Sequence, residues 1–130
     1  MFVQRCSDFE LQHLYQTAKS CENLIRETNQ PYWLSHGSLI GAVRHESVIP
    51  WDDDLDIAFP RDHIDELEQL AIKNGFKFLR LGPFLAKIWD ESKKLYNSHK
   101  LWTWPFCDLA LYDRFNDLII IEHQYHRQYK

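Results

Sequence analysis

The first long pattern in the chain has a helical period. Leu11, Leu14, Tyr15, Ala18, Cys21, Leu24 and Ile25 recur at three- and four-residue steps, the spacing that gathers apolar side chains onto one stripe of an α-helix. Ser7 followed by Glu10 is a capping-box pair, in which each side chain accepts from the other's backbone N–H at the helix start. These features predict an N-terminal helix over about residues 7–29, ended by Pro31. Tyr32-Trp33-Leu34 then has the weight of a short buried strand that stops at Gly37, with aromatic and apolar side chains suited to a pleated surface. Ser38 to His45 is long enough for about two helical turns.

Past Pro50-Trp51 the period drops to two. Leu55-Asp56-Ile57-Ala58-Phe59 alternates as a strand closed by Pro60, with Asp54 and Asp56 on one face and Leu55 and Ile57 on the other. Asp62 is the expected N-cap of a helix through Lys73 that turns Ile64, Leu67, Leu70 and Ala71 inward and has Gly75 just past its end. Leu55 and Ile57 should be buried against this helix and the first one. Phe76 to Leu81 and Phe84 to Trp89 flank Gly82-Pro83 and predict two strands joined by a turn. A polar loop over 90–100 leads to a strand over about 103–112, interrupted by Pro105, and Asn116-Asp117 turns into Leu118-Ile119-Ile120-Ile121. That order predicts a small α/β or α+β domain with a mixed β-sheet. Residues 1–130 read as one domain, and the stretch from Ile119 to Lys130 reads as an element whose packing partner lies further along a longer protein.

Composition adds limits rather than direction. With 45% hydrophobic and 26% charged residues, the chain can build a core. Its formal charge of −4 and the lack of a basic block give no footing for a nucleic-acid partner. No run approaches the ~20 apolar residues of a membrane-spanning helix. Cys6, Cys21 and Cys107 form no CxxC pair and fit small buried hydrophobes better than a zinc site. His123 and His126 stand at a possible ligand spacing, but neither cysteines nor an HExxH motif accompany them.

The chemistry concentrates in the acidic strand. Asp54 and Asp56 on one face stand about 6.6 Å apart at their Cα atoms, so both carboxylates can bend toward one cation. Two such groups repel when ionised, and a hard divalent ion relieves the conflict. Asp108 interrupts the apolar run Phe106-Cys107-Asp108-Leu109-Ala110-Leu111. Cys107, Leu109 and Leu111 define that strand's buried face, so Asp108 projects to the other side as a candidate third ligand. Asp53 leaves the opposite face from Asp54 and reads as a turn residue. A solvated acidic turn is the plainer reading of the run, yet it leaves Asp56 inside apolar sequence unexplained. Gly37 and Ser38, between a strand and a short helix, offer backbone N–H groups and a hydroxyl to a phosphate. Arg44 either holds a phosphate or pairs with an aspartate. His45 reads as a hydrogen-bonding neighbour, and Trp102 and Trp104 read as core.

The stretch from Tyr32 to Ile57 resembles the signature of the LicD family, which includes fukutin and fukutin-related protein. The resemblance is carried by Gly37-Ser38, by Gly41-Ala42-Val43-Arg44-His45 and by Ile49-Pro50-Trp51-Asp52-Asp53-Asp54-Leu55-Asp56, in order. Trp104-Pro105-Phe106-Cys107-Asp108-Leu109 resembles the later family strand that bears a third carboxylate. Ser35-His36 departs from the glycine or acidic character usual before Gly37. The resemblance implies an α+β, nucleotidyltransferase-like mixed β-sheet flanked by helices, with its core motif over 32–59. It also implies a phosphotransferase moving phosphocholine or ribitol phosphate from a CDP-linked alcohol donor to a glycan acceptor, with Mg²⁺ or Mn²⁺ as cofactor. Asp54, Asp56 and Asp108 would be the catalytic metal-binding acids, and Gly37, Ser38 and Arg44 would lie on the donor-phosphate side. A longer fukutin-like protein would work in the Golgi or secretory-pathway lumen, and a bacterial-type one in the cytoplasm. Two other readings use the same residues: a metal-dependent phosphohydrolase, for which Ile57-Ala58-Phe59 lacks the small hydroxyl residue expected after the acids, and a partial homologue that binds a nucleotide or partner without catalysis.

Overall fold

The computed structural model describes residues 7–34, 55–97, 100–115 and 118–120. Helix α1 spans Asp8–Glu27 and opens with both bonds of the capping box: the Ser7 N–H donates to Glu10 Oε1 at 2.9 Å and the Glu10 N–H donates to Ser7 Oγ at 3.2 Å. It ends as expected before Pro31, with Asn29 in the left-handed region at φ 57°, a conformation asparagine tolerates better than most residues. Strand β1 (Trp33–Leu34) follows, then β2 (Leu55–Pro60). The short helix expected after Gly37 lies outside the described residues, as do Cys6, Asp52, Asp53, His45, His123 and His126.

The second helix begins differently from the expectation. Arg61–His63 forms a 3-10 turn and α2 runs Ile64–Lys73. Asp62 lies inside that turn and does not cap α2, because its carboxylate accepts from the Arg114 guanidinium at 3.3 Å instead. At the far end Gly75 takes φ 83°, the left-handed turn that glycine adopts without steric cost. Strands β3 (Lys77–Arg80) and β4 (Leu85–Trp89) form the expected hairpin. The region read as a plain loop holds a 3-10 turn at Glu91–Lys93, capped by Asp90, and a bridge between Tyr96 and Trp104. Strand β5 covers Cys107–Phe115, starting after Pro105 rather than before it, since proline has no N–H to give the ladder. Strand β6 (Leu118–Ile120) pairs back on β5.

The strand order is β1-β2-β5-β4-β3, with β2 and β5 parallel and the other pairs antiparallel. This mixed sheet has two unlike faces. Leu55, Cys107 and Ile88 share one ladder row, and Ile57, Leu109 and Ala86 the next. All six are buried in one core with Leu14, Cys21, Leu24 and Ile25 of α1 and with Ile64, Leu67 and Ala71 of α2. Both expectations for Leu55 and Ile57 therefore hold. β1 does not match its expectation: Trp33 is half-buried and Leu34 is exposed, because among the described residues the strand lies at the sheet's edge, paired with β2 alone.

Candidate functional site

The row between those two apolar rows carries the charges. Asp56 on β2 is directly opposite Asp108 on β5, and Asp108 is directly opposite Lys87 on β4. Residues opposed in a ladder point to the same face, so the three side chains form a line across three strands, on the face turned away from the helices. The next row on this face is Ala58, Ala110 and Leu85, whose alanines keep the surface beside the acids low. Trp33, opposite Ala58, stacks on Tyr112 with ring centroids 4.6 Å apart. The Tyr112 hydroxyl donates to the Pro31 carbonyl at 2.8 Å, and burial pushes its phenol pKa up, so it stays protonated as a structural donor.

Like charges directly opposite in a sheet repel. Here the conflict is met by the Lys87 ammonium, which lies 2.6 Å from Asp108 Oδ1 in a pair whose side chains are only 8% and 14% exposed. The same Nζ sits 4.0 Å from the Phe106 ring centroid and 4.6 Å from that of Trp102, near enough for a cation–π contact with each. Sequence reasoning passed over Lys87. The available signal was a lysine at the centre of the apolar strand Leu85-Ala86-Lys87-Ile88-Trp89, where a solvent-facing position would otherwise be expected to explain it.

Asp56 and Asp108, two of the three expected acids, are thus side by side, while Asp54, Gly37, Ser38 and Arg44 lie outside the described residues. Among the described residues no three His, Cys, Asp or Glu side chains are grouped to hold a metal ion. The donor chemistry of the described pair still fits a hard divalent cation: two carboxylates in one row, one of them already drawing a cation to hydrogen-bond distance. Cys107 does not join them. Its thiol points into the core, and its pKa is held well above the ordinary value by a hydrogen bond with Cys21, by burial and by the negative charges of Asp108 and Asp56. That leaves it a neutral thiol, neither ligand nor nucleophile.

The sheet and its helices define a nucleotidyltransferase-like α+β fold. It matches the solution structure of the antibiotic-resistance factor ANT(2'')-Ia with a TM-score of 0.59 at 19% identity, covering 82% of this chain and 50% of that one. A crystal structure of ANT(2'')-Ia with adenylyl-2''-tobramycin matches with a TM-score of 0.58 at 22% identity, covering 86% and 56%. Within that class, residues 29–130 match the model of the LicD/FKTN/FKRP nucleotidyltransferase domain, and the chain belongs to this family. Relatives include an uncharacterised protein of Rickettsia prowazekii (strain Madrid E), 31% identical over 85% of this chain and 43% of its own length. Ribitol 5-phosphate transferase FKRP of Homo sapiens is 31% identical over 74% of this chain and 21% of its own length. Lipopolysaccharide cholinephosphotransferase LicD of Haemophilus influenzae (strain ATCC 51907 / DSM 11121 / KW20 / Rd) is 58% identical over 63% and 35%. The chain therefore spans less than half the length of these curated relatives.

Proposed function

We propose that the chain carries the metal-binding part of a phosphotransferase that moves a phosphorylated alcohol from a CDP-linked donor to a glycan hydroxyl. The observation that supports this most directly is the juxtaposition of Asp56 and Asp108 on the sheet face opposite the core, in a chain of the LicD family. Asp56 and Asp108, with Asp54, would hold Mg²⁺ or Mn²⁺. When bound, the ion supplies positive charge to the transferred phosphate and the leaving group. Gly37 and Ser38, with Arg44, would orient donor phosphate oxygens, which matters because in-line transfer depends chiefly on alignment. The acceptor hydroxyl oxygen forms the new bond to the phosphorus nearest the alcohol, the bond from that phosphorus to CMP breaks, and CMP leaves with the electron pair. Asp108 is the carboxylate assigned to take the hydroxyl proton.

The test is CMP release from CDP-choline and from CDP-ribitol in Mg²⁺, with and without a glycan acceptor. Acceptor-dependent release supports transfer, acceptor-independent release points to the phosphohydrolase, and binding without release points to a non-catalytic homologue. Asp56→Asn, nearly isosteric but uncharged, should lower acceptor-dependent release by roughly 100-fold. Near-normal turnover would remove Asp56 from the site.

A further inference from the structure

We propose that Lys87 is a built-in stand-in for the divalent cation: its ammonium neutralises Asp108 while the site is metal-free, and it gives up that carboxylate, keeping the Trp102 and Phe106 rings it already touches, when the ion arrives. The proposal rests on the metal-dependent reading above and concerns what holds the acids in place before the ion does. Without a cation, the row Asp56, Asp108, Lys87 has a formal charge of −1 rather than −2, counting one positive and two negative groups. A divalent ion on the same carboxylates competes with the ammonium for Asp108 Oδ1, now 2.6 Å from Nζ.

Three features make the exchange feasible. Lysine is a point charge on a flexible four-carbon stem, so Nζ can leave a carboxylate while its Cα stays fixed in the sheet. The ammonium is buried, and an unpaired buried ammonium is costly, so leaving Asp108 requires a partner that remains in place. That partner exists: the Phe106 and Trp102 ring centroids lie 4.0 and 4.6 Å from Nζ, and ring faces attract a desolvated cation.

Metal-free protein is titrated with Mn²⁺, the free ion being followed by its paramagnetic resonance signal and the binding heat by calorimetry. The unaltered chain is compared with Lys87→Met and Lys87→Gln. Glutamine can still donate to Oδ1 but carries no charge, which separates loss of competition from loss of contact. Both variants should bind Mn²⁺ about tenfold more tightly, because a positive charge next to the ion has gone. They should also melt lower than the unaltered chain without metal, and regain most of that difference in saturating Mn²⁺. Unchanged or weaker Mn²⁺ binding by Lys87→Gln, with an unaltered circular dichroism spectrum, overturns the proposal and leaves the metal-dependent reading standing. An unaltered chain that binds no Mn²⁺ overturns both. If neither variant folds without metal, folding restored by Mn²⁺ supports the exchange, and failure of Mn²⁺ to restore it overturns the exchange.

Discussion

Leu55 is 8% exposed and joins the core beneath the sheet, whereas Asp56, one residue later, stands on the opposite face beside Asp108. The alternation separates core packing from the proposed chemistry at adjacent positions, and single substitutions can read it. Leu55→Ala removes buried carbons and leaves a space that α1 and α2 can only partly close, so urea unfolding should show a loss of roughly 2–5 kcal/mol. Divalent-ion binding should survive in the molecules that remain folded. A loss under ~1 kcal/mol would mean the site collapses more readily than a packed core does. Asp108 and Lys87 obey the same logic from the other face, since their neighbours along the chain, Cys107, Leu109, Ala86 and Ile88, are all fully buried. A charge can therefore occupy the middle of a strand without entering the core.

At the scale of elements, α1 is the most self-specified part of the chain, because its start is written in two residues. Ser7→Ala removes the oxygen that accepts the Glu10 N–H and should cost about 1 kcal/mol in denaturant unfolding. The pH dependence of the other half of the box follows from Glu10. Its carboxyl pKa lies below the ordinary value, first because it accepts the Ser7 backbone N–H, then through the Ser7 and Tyr96 side chains. A carboxyl lowered on folding contributes stability that is complete above its unfolded pKa and is lost as pH falls through the folded one. The melting temperature of Glu10→Gln should thus fall below that of the unaltered chain at pH 7, and the two should converge as pH drops below the ordinary carboxylate range. A gap that persists unchanged in acid would assign the effect to something other than the charge. α2 shows where local reading stopped: Asp62 has the residue type of a cap, but Arg114, 52 positions away, takes its carboxylate. A competing long-range partner leaves no mark in the local pattern. β1 was misjudged for a related reason, since aromatic weight predicts a strand but cannot say that it will be the edge.

For the whole molecule, the same division decides what was legible. Period-two alternation gave the phase of β2, and the apolar neighbours of Asp108 gave the phase of β5, so two acids could be assigned from sequence to the face opposite the core. Their adjacency depends on β2 pairing in parallel with β5 in the register Asp56↔Asp108, a pairing across the intervening helix and hairpin. Lys87 enters through a second non-local register, Lys87↔Asp108, and its role was invisible for that reason. This topology makes a further demand on dynamics. β5 is hydrogen-bonded on both sides, by β2 and by β4, and its Cys107, Leu109 and Leu111 side chains lie in the core, whereas among the described residues β3 and β1 are the sheet's outer strands. Local opening runs through exposed edges and spares strands that must lose two ladders and their buried contacts together. Amide hydrogen exchange should therefore be slowest from Cys107 to Leu111 and at the β2 amides that bond to β5, with β3 exchanging well before them. The acids would then sit on the least mobile part of the sheet, as the proposed cation site would require. Protection in β3 equal to that in β5 would show instead that the sheet opens only as one unit, and the rigidity of the acid row could not be credited to its central position.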